Sequence, residues 1–361
     1  MDKLAKIYVA GHLGLVGSAI WRNLSEKGYS RLIGKSIDEL DLMDIAAVKR
    51  FFDVERPEYV FLCAAYVGGI MANNTYRADF IYRNLQIQQN IIGESYRTHV
   101  KKLLFLGSTC IYPRDAAQPM KEEALLTGPL EYTNEPYAIA KIAGLKLCES
   151  FNMQYHTNFI AVMPTNLYGP NDNFHLETSH VLPAILRKIH LAKCLLENDR
   201  DGIRRDLHCR PVEGANGDSG WEDIHHVLGK YGITGEKVTL WGSGNPLREF
   251  LWSEEMADAC VYIMQHVDFN DLKGNHPEIR NCHINIGTGK EISIRDLTSV
   301  ICRTVGYTGE IAFDASKPDG TMRKLTDVSK LHALGWRHRI EIDEGVKRLY
   351  QWYQKSCQSI T

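Results

Sequence analysis

The sequence predicts an α/β protein, a doubly wound parallel sheet with a smaller, interleaved C-terminal α/β lobe. Three observations carry this. Near-continuous apolar runs alternate with helical patterns through the first half. A glycine-rich turn joins the first of those runs to the first helix. The second half changes to short strand-like runs set among helices, with no Pro/Ser-rich linker, internal repeat or low-complexity tract between them.

The elements follow in order. Residues 7–10, 59–64, 103–106 and 159–162 are apolar almost throughout, as strands covered on both faces are in parallel sheets. Helical periodicity occupies 15–27, 45–54, 77–98 and 137–155, and a second strand is placed near 31–34. Such alternation predicts a dinucleotide-binding domain over 1–175, joined by a further strand and helix from about 237–265. Residues 176–361 are expected to form mainly a substrate-binding lobe. It draws on a strand-like run at 283–286 and on helices at 294–305 and 342–353. The stretch from about 191 to 236 is polar and reads as an insert, dispensable between 198 and 219, since loops lengthen at low entropic cost.

Composition narrows the partners. A formal net charge of -2 supplies neither a basic field for nucleic acid nor a polybasic arm for a membrane, so an anionic ligand must be held by local groups. Nine cysteines, an odd number with no C-x-x-C pair, predict reduced thiols rather than a disulfide frame, and with them a cytoplasmic location. No apolar run approaches membrane-spanning length, and no signal h-region is recognisable. His208, Cys209, His225 and His226 fit no common zinc spacing, so no metal is expected.

Gly11-His12-Leu13-Gly14-Leu15-Val16-Gly17 lies between the first strand and the first helix. Glycine there permits the tight turn and close backbone approach to a pyrophosphate, which meets the positive end of the helix. This marks the fold as Rossmann type. After the second strand stands Lys35, where an NAD-selective site offers an acid to the ribose 2′-hydroxyl; a cation there predicts NADP(H). Tyr137 and Lys141 are one helical turn apart and share a face. A neighbouring ammonium is expected to lower the phenol's pKa and to hold ribose hydroxyls. Ser108 follows the fourth core strand, at the end where ligands bind, and suits a hydrogen bond to a carbonyl under reduction. Cys110, two residues on, projects to the same side if the chain is extended. On residues alone Cys110 reads as a buried structural thiol and His180 as a helix cap or core histidine.

The sequence resembles the GDP-L-fucose synthase family, bifunctional 3,5-epimerases and 4-reductases of the extended short-chain dehydrogenase/reductase superfamily. The stretches that match are Val67-Gly68-Gly69-Ile70, Ala72-Asn73-Asn74-Thr75-Tyr76, Ser108-Thr109-Cys110-Ile111-Tyr112-Pro113 and Asn134 through Lys141. Met163 through Pro170, Trp241-Gly242-Ser243-Gly244, Arg248-Glu249-Phe250-Leu251 and Asp314 through Gly320 match as well. The resemblance covers nearly the whole chain except the polar insert.

The resemblance implies Tyr137, Lys141 and Ser108 as the catalytic trio, and Cys110 with His180 as the epimerisation pair, reversing the bland reading of both. It implies cofactor contacts at Gly11, His12, Leu13, Gly14, Leu15, Val16 and Gly17; at Ile37, Asp38, Glu39, Leu40, Asp41 and Leu42; at Leu106, Gly107, Ser108 and Thr109; and at Pro164, Thr165, Asn166, Leu167 and His180. Substrate contacts fall on Lys188, Trp241, Arg248 and Asp319. A GDP-sugar substrate and a homodimer through the 77–98 and 137–155 helices are further implications. Leu13, Lys35, Tyr66 and Lys188 depart from the residues usual in the family, and the diphosphate is left to Arg248, Lys188 or Arg187. Two other readings stand beside this one: a GDP-4-keto-3,6-dideoxy-sugar enzyme of colitose type, and a non-catalytic NADP-binding regulator on the same fold.

Overall fold

The apolar runs become strands because each is covered on both faces. In a computed structural model that describes residues 1–274, 278–317 and 319–357, a six-stranded sheet forms from β1 (Ile7–Ala10), β2 (Leu32–Ile33), β3 (Tyr59–Leu62), β4 (Lys102–Leu106), β5 (Phe159–Pro164) and a sixth strand, Ile284–Ile286. The order is sixth strand, β5, β4, β3, β1, β2, and every pairing is parallel. Ile7, Val9, Phe61, Leu104 and Ile160 face one apolar layer with the helices Leu15–Glu26 and Ser253–His266. Tyr8, Val60, Leu62, Leu103 and Phe105 face the other, with the helices Ile45–Glu55, Arg77–Arg97 and Glu135–Tyr155. Alternate side chains of one strand thus enter opposite layers, and the predicted doubly wound Rossmann sheet is present.

The chain divides into two compact units. The first holds 1–167, 249–290 and 325–339; the second holds 168–248, 291–324 and 340–361. The sheet and both apolar layers belong to the first unit. The strand expected near 238 to extend the dinucleotide-binding domain does not do so. Lys237–Trp241 pairs in parallel with Glu310–Asp314 inside the second unit, while the short strand Phe250–Trp252 and the helix Ser253–His266 lie in the first. So does Ile284–Ile286, expected in the second lobe, which instead pairs with β5.

The polar stretch over 191–236 is not a loop insert. Its first residues complete the helix Val181–Leu196, and two more helices follow, Arg200–Cys209 and Trp221–Lys230. Asp199 caps the first of these, accepting the Gly202 N–H at 2.8 Å. The charges that give the stretch its polar composition are in part buried. Arg187 is fully buried; its Nε donates to Asp206 Oδ1 at 2.9 Å and its Nη1 to the Phe174 carbonyl at 3.1 Å. The Tyr353 hydroxyl donates to the second Asp206 oxygen.

These contacts reverse the expectation that 198–219 is dispensable. Replacing 198–219 by a Gly/Ser linker removes Asp206 and strands the Arg187 guanidinium, which costs about 3–5 kcal/mol when a buried pair loses one member. The replacement is expected to unfold the second unit. Asp206→Ala is expected to lower the free energy of chemical denaturation by the same amount. Native stability of either variant refutes the assignment.

Candidate active site

The site is built where the C-terminal ends of β1, β4 and β5 meet the helices that follow them. At the end of β1, Gly11 takes φ +83°, and a Cβ there would lie 2.8 Å from the Ala64 amide nitrogen. A Cβ on Gly17 would lie 2.0 Å from the Gly11 carbonyl oxygen, so strand and helix cross at a distance only glycine permits. Gly14 caps the Leu15–Glu26 helix, and nothing stands nearer than 3.5 Å to where its Cβ would be. The result is an open helix N-terminus with bare backbone around it, the geometry a pyrophosphate requires. His12 packs its ring on Trp21 and Leu13 is exposed.

Beyond β2 the loop carries Lys35 through Leu42. The Lys35 ammonium lies 3.2 Å from the Glu39 carboxylate, and the Ser36 N–H donates to the same carboxylate at 2.8 Å. That backbone bond, followed by Lys35, lowers the Glu39 pKa. Ile37, Asp38 and Asp41 are exposed and Leu40 is buried, while the Leu42 carbonyl accepts from Asn90 at 2.8 Å. Lys35 is therefore a paired cation, a fact its position after the strand does not disclose.

Gly107 continues β4 by one hydrogen bond, its N–H donating to the Val162 carbonyl at 2.8 Å. A Cβ on it would lie 2.3 Å from the Met163 side chain. Ser108 is extended, and its Oγ accepts the Cys110 N–H at 3.3 Å. Residues Thr109–Ile111 form a 3₁₀ turn, so the chain is not extended through Cys110, and the argument from alternating side chains does not apply there. Thr109 and Cys110 are buried.

The helix Glu135–Tyr155 opens with Pro136 in its first turn, where a missing N–H costs nothing. Its close approach to the sheet depends on Gly144, where a Cβ would lie 2.5 Å from the Phe105 ring and 2.7 Å from Gln88 Oε1. Gln88 of the Arg77–Arg97 helix donates to the Ala140 carbonyl at 2.6 Å. One turn before Gly144, the buried Lys141 ammonium donates to the Leu106 carbonyl at 2.8 Å, at the end of β4, and lies 5.6 Å from the Tyr137 ring centre. Tyr137 sets its ring edge-on to Phe80.

The charges depart from expectation. Burial, followed by the neighbouring Cys110, pushes the Tyr137 phenol well above its usual value. Burial also lowers the Lys141 ammonium to about 8, against the opposing pull of Cys110 and Cys63. Desolvation thus outweighs the predicted lowering of Tyr137 by Lys141. Cys110 is near enough to act on both groups, so Cys110, Tyr137 and Lys141 form one cluster, with Ser108 two residues before Cys110 at the end of β4. Pro164 ends β5, and beyond it the Thr165 hydroxyl and the Asn166 amide donate to the Glu249 carbonyl at 3.3 and 2.8 Å, with Leu167 half-buried beside them. Glu249 was not singled out from the sequence, although it lies in the Arg248-Glu249-Phe250-Leu251 stretch.

The other predicted residues lie in the second unit. His180 is the N-cap residue of Val181–Leu196; solvent reaches its ring, yet crowding by protein atoms lowers its pKa. Lys188 is buried, donates to the Tyr231 carbonyl at 2.7 Å, and is lowered to about 8 by desolvation. Arg187, offered as a diphosphate ligand, is instead committed to Asp206. Trp241 is exposed. Asp319 accepts from the Ser243 N–H at 2.6 Å and hydroxyl at 2.7 Å, and these bonds lower its pKa. The turn needs Gly242 at φ +85°, where a Cβ would meet Asp319 at 2.4 Å. Arg248 is half-buried, which lowers its pKa against the pull of Asp319, and it donates to the Leu247 carbonyl at 2.8 Å. Of the Asp314 through Gly320 stretch, Pro318 lies outside the described residues.

Comparison with known proteins adds a family. The sequence profile of the NAD dependent epimerase/dehydratase family matches residues 7–210 and 220–287. It breaks only over nine residues of the polar stretch. GDP-L-fucose synthase 1 of Arabidopsis thaliana is 49% identical, over 98% of this chain and 95% of that protein. GDP-L-fucose synthase of Escherichia coli (strain K12) is 48% identical, over 96% of each. A GDP-L-colitose synthase of Yersinia pseudotuberculosis is 31% identical, over 96% of this chain and 97% of that protein. Among solved structures, a GDP-D-glycero-L-gluco-heptose synthase of Campylobacter jejuni, in the presence of NADPH, is 45% identical with a TM-score of 0.91. That match covers 98% of this chain and 99% of the other.

Lys141 generates a pH dependence. Its folded pKa of about 8 lies below the value of about 10.4 for a lysine in the unfolded chain. Between the two the unfolded state binds more protons, so stability rises with pH. The burial penalty is fully present below the folded value and is relieved above it. From about pH 7 to about pH 10, wild type is expected to gain about 1–3 kcal/mol over Lys141→Met in urea denaturation. A difference that does not change with pH contradicts a desolvated ammonium.

Proposed function

The chain belongs to the NAD dependent epimerase/dehydratase family, and from that premise we propose that it converts GDP-4-keto-6-deoxy-D-mannose to GDP-L-fucose, inverting C3 and C5 and then reducing C4 with NADPH. The observation that carries the reading is Cys110 beside Tyr137 and Lys141. Reduction alone needs one proton donor; a buried thiol at the same place adds the second acid–base group that epimerisation requires. Identity of 48% and 49% over nearly full length to GDP-L-fucose synthases, against 31% to the colitose enzyme, supports the fucose substrate over its 3-deoxy analogue.

The open, side-chain-free helix N-terminus at Gly11–Gly17 fits a dinucleotide pyrophosphate. The segment from Gly11 through Gly17, with Lys35 and Ile37 through Leu42, is assigned to the adenosine side. Leu106 through Thr109, Lys141, Pro164 through Leu167 and His180 are assigned to the nicotinamide side. Lys35 meets a 2′-phosphate by exchanging its Glu39 partner for it. NADPH, when bound, supplies the hydride for C4.

The chain's own groups handle the protons. The C3 and C5 hydrogens flank the C4 ketone, so removal of either gives an enolate whose oxygen Ser108 and Tyr137 stabilise by hydrogen bonds. Cys110 and His180 remove the proton from one face and return it to the other. Burial keeps Tyr137 protonated until an alkoxide forms at C4, and it then donates its proton there. Lys188, Trp241, Arg248 and Asp319 are assigned to the GDP-sugar. A second reading, synthesis of a GDP-heptose, has the Campylobacter jejuni relative behind it. Product analysis with each sugar separates the two.

We also assign a homodimer built on the Arg77–Arg97 and Glu135–Tyr155 helices. A groove between them, lined by Leu85, Gln89, Ala143, Leu147 and Ser150, offers a second copy an apolar floor with a polar rim. Among the described residues no helix is long and apolar enough to cross a membrane. The nine cysteines, all free, support a cytoplasmic location.

Three outcomes test this reading. In deuterated buffer with NADP⁺, wild type is expected to place deuterium at C3 and C5 of the keto-sugar. Cys110→Ser largely loses that exchange while binding NADPH normally. Tyr137→Phe keeps the cofactor but loses reduction by a factor on the order of 10² or more. Native exchange in Cys110→Ser assigns the thiol to structure, and native turnover in Tyr137→Phe removes the proton donor from the scheme. Sedimentation is expected to give a dimer for wild type and a folded monomer for Leu147→Arg; a dimeric variant excludes this face.

A further inference from the structure

The Glu249 carboxylate is fully buried and surrounded by donors from segments far apart in sequence. Its Oε1 accepts the Thr288 N–H at 2.6 Å and the Gly289 N–H at 2.7 Å. Its Oε2 accepts the Thr326 N–H at 2.9 Å and hydroxyl at 2.6 Å. Its carbonyl holds Thr165 and Asn166. Gly287 makes room for it, since a Cβ there would lie 2.3 Å from Oε1. The chain passes between its two units at 167/168, 248/249, 290/291, 324/325 and 339/340. Three of those five crossings, 167/168, 290/291 and 324/325, have a residue bonded to Glu249 within two positions, on the first unit's side. Glu249 itself follows Arg248.

We propose that Glu249 is a positioning residue for the reaction. Its carboxylate fixes the backbone at 288–289 and at 326, and its carbonyl holds the Thr165 and Asn166 side chains at the end of β5. It follows Arg248 directly, so these stretches are anchored where they leave the first unit. The assignment of those segments to cofactor and substrate rests on the function proposed above; the clasp does not. A carboxylate suits the place because five donors, the Thr288 hydroxyl at 3.4 Å among them, point at it and it has no proton of its own to direct. Gln must turn an NH₂ group onto one of the two donor sets, leaving buried N–H groups unpaired.

The full chain, assayed with NADPH and GDP-4-keto-6-deoxy-D-mannose, tests this. Glu249→Gln is expected to lower kcat/KM for the keto-sugar by about 10–100-fold, the scale of a lost charge-assisted bond. KM is expected to rise, while NADPH affinity changes by less than about threefold because the glycine turn is untouched. Thr326→Val, which removes one donor and keeps the shape, shifts KM the same way to a smaller extent, and Thr326→Ser restores it. A lowered Tm with native kcat and KM in these variants overturns the proposal and makes the cluster purely structural. If Glu249→Gln does not fold, the Thr326 pair decides alone. If wild type turns over no GDP-4-keto-sugar, the functional reading fails instead. Hydrogen exchange at the 288, 289 and 326 amides then decides: faster exchange in the variants supports the clasp, and native protection overturns it.

Discussion

An ammonium group is costly to bury, and the geometry of the site follows from how this protein buries one. Lys141 is almost wholly removed from solvent, and the acceptor that makes this tolerable is the Leu106 carbonyl. Reaching it requires the Glu135–Tyr155 helix to lie close on the sheet, which Gly144 permits and the Gln88 bond to Ala140 fixes. Once Lys141 is pinned to the end of β4, Tyr137 is fixed one turn earlier with Phe80 at its ring. Ser108 and Cys110 follow as the second and fourth residues beyond the same carbonyl. The helix pair Tyr137 and Lys141 and the strand-end pair Ser108 and Cys110 are thus tied to one carbonyl at a strand's end.

The same burial sets their charges. Desolvation penalises the ionised form of each group, so the phenol rises and the ammonium falls, both toward neutrality. A site of this kind holds little charge until a ligand brings some, and it then responds strongly because the medium is weakly screening. Cys63 lies in reach of Lys141 as well, yet burial pushes its thiol up to about 12. A thiol that resists ionisation so firmly is a poor base.

Much of the fold was legible because apolar alternation is a local signal. The runs at 7–10 and 103–106 and the glycines of 11–17 announce strand, turn and helix with no help from distant residues. The Tyr137–Lys141 spacing is equally local. What pattern could not disclose is charge buried by partners far away in sequence. Asp206, in a stretch that reads as solvated, is buried on Arg187 and on Tyr353, which is 147 residues distant. Glu249 meets Thr326 across 77 residues. Each looks like a surface charge until the fold delivers its partner. The two amphipathic helices of the polar stretch bury only a few residues apiece, so their apolar stripe is too thin to outweigh their composition.

Accounting for cations in the second unit leads to a choice the sequence left open. Arg187 has its guanidinium spread over Asp206 and the Phe174 and Arg210 carbonyls, and no solvent reaches it. Lys188 is tied to the Tyr231 carbonyl and desolvated far enough to weaken its charge. Arg248 is different. Its guanidinium makes one hydrogen bond, to the Leu247 carbonyl, and the rest of its fork is uncommitted among the described residues. Partial burial raises the worth of that charge without neutralising it, because a guanidinium keeps its proton where an ammonium yields it. With a net charge of -2 there is no long-range field to gather an anion. A short-range, bidentate donor is then what a diphosphate needs, and of the three cations Arg248 alone retains one.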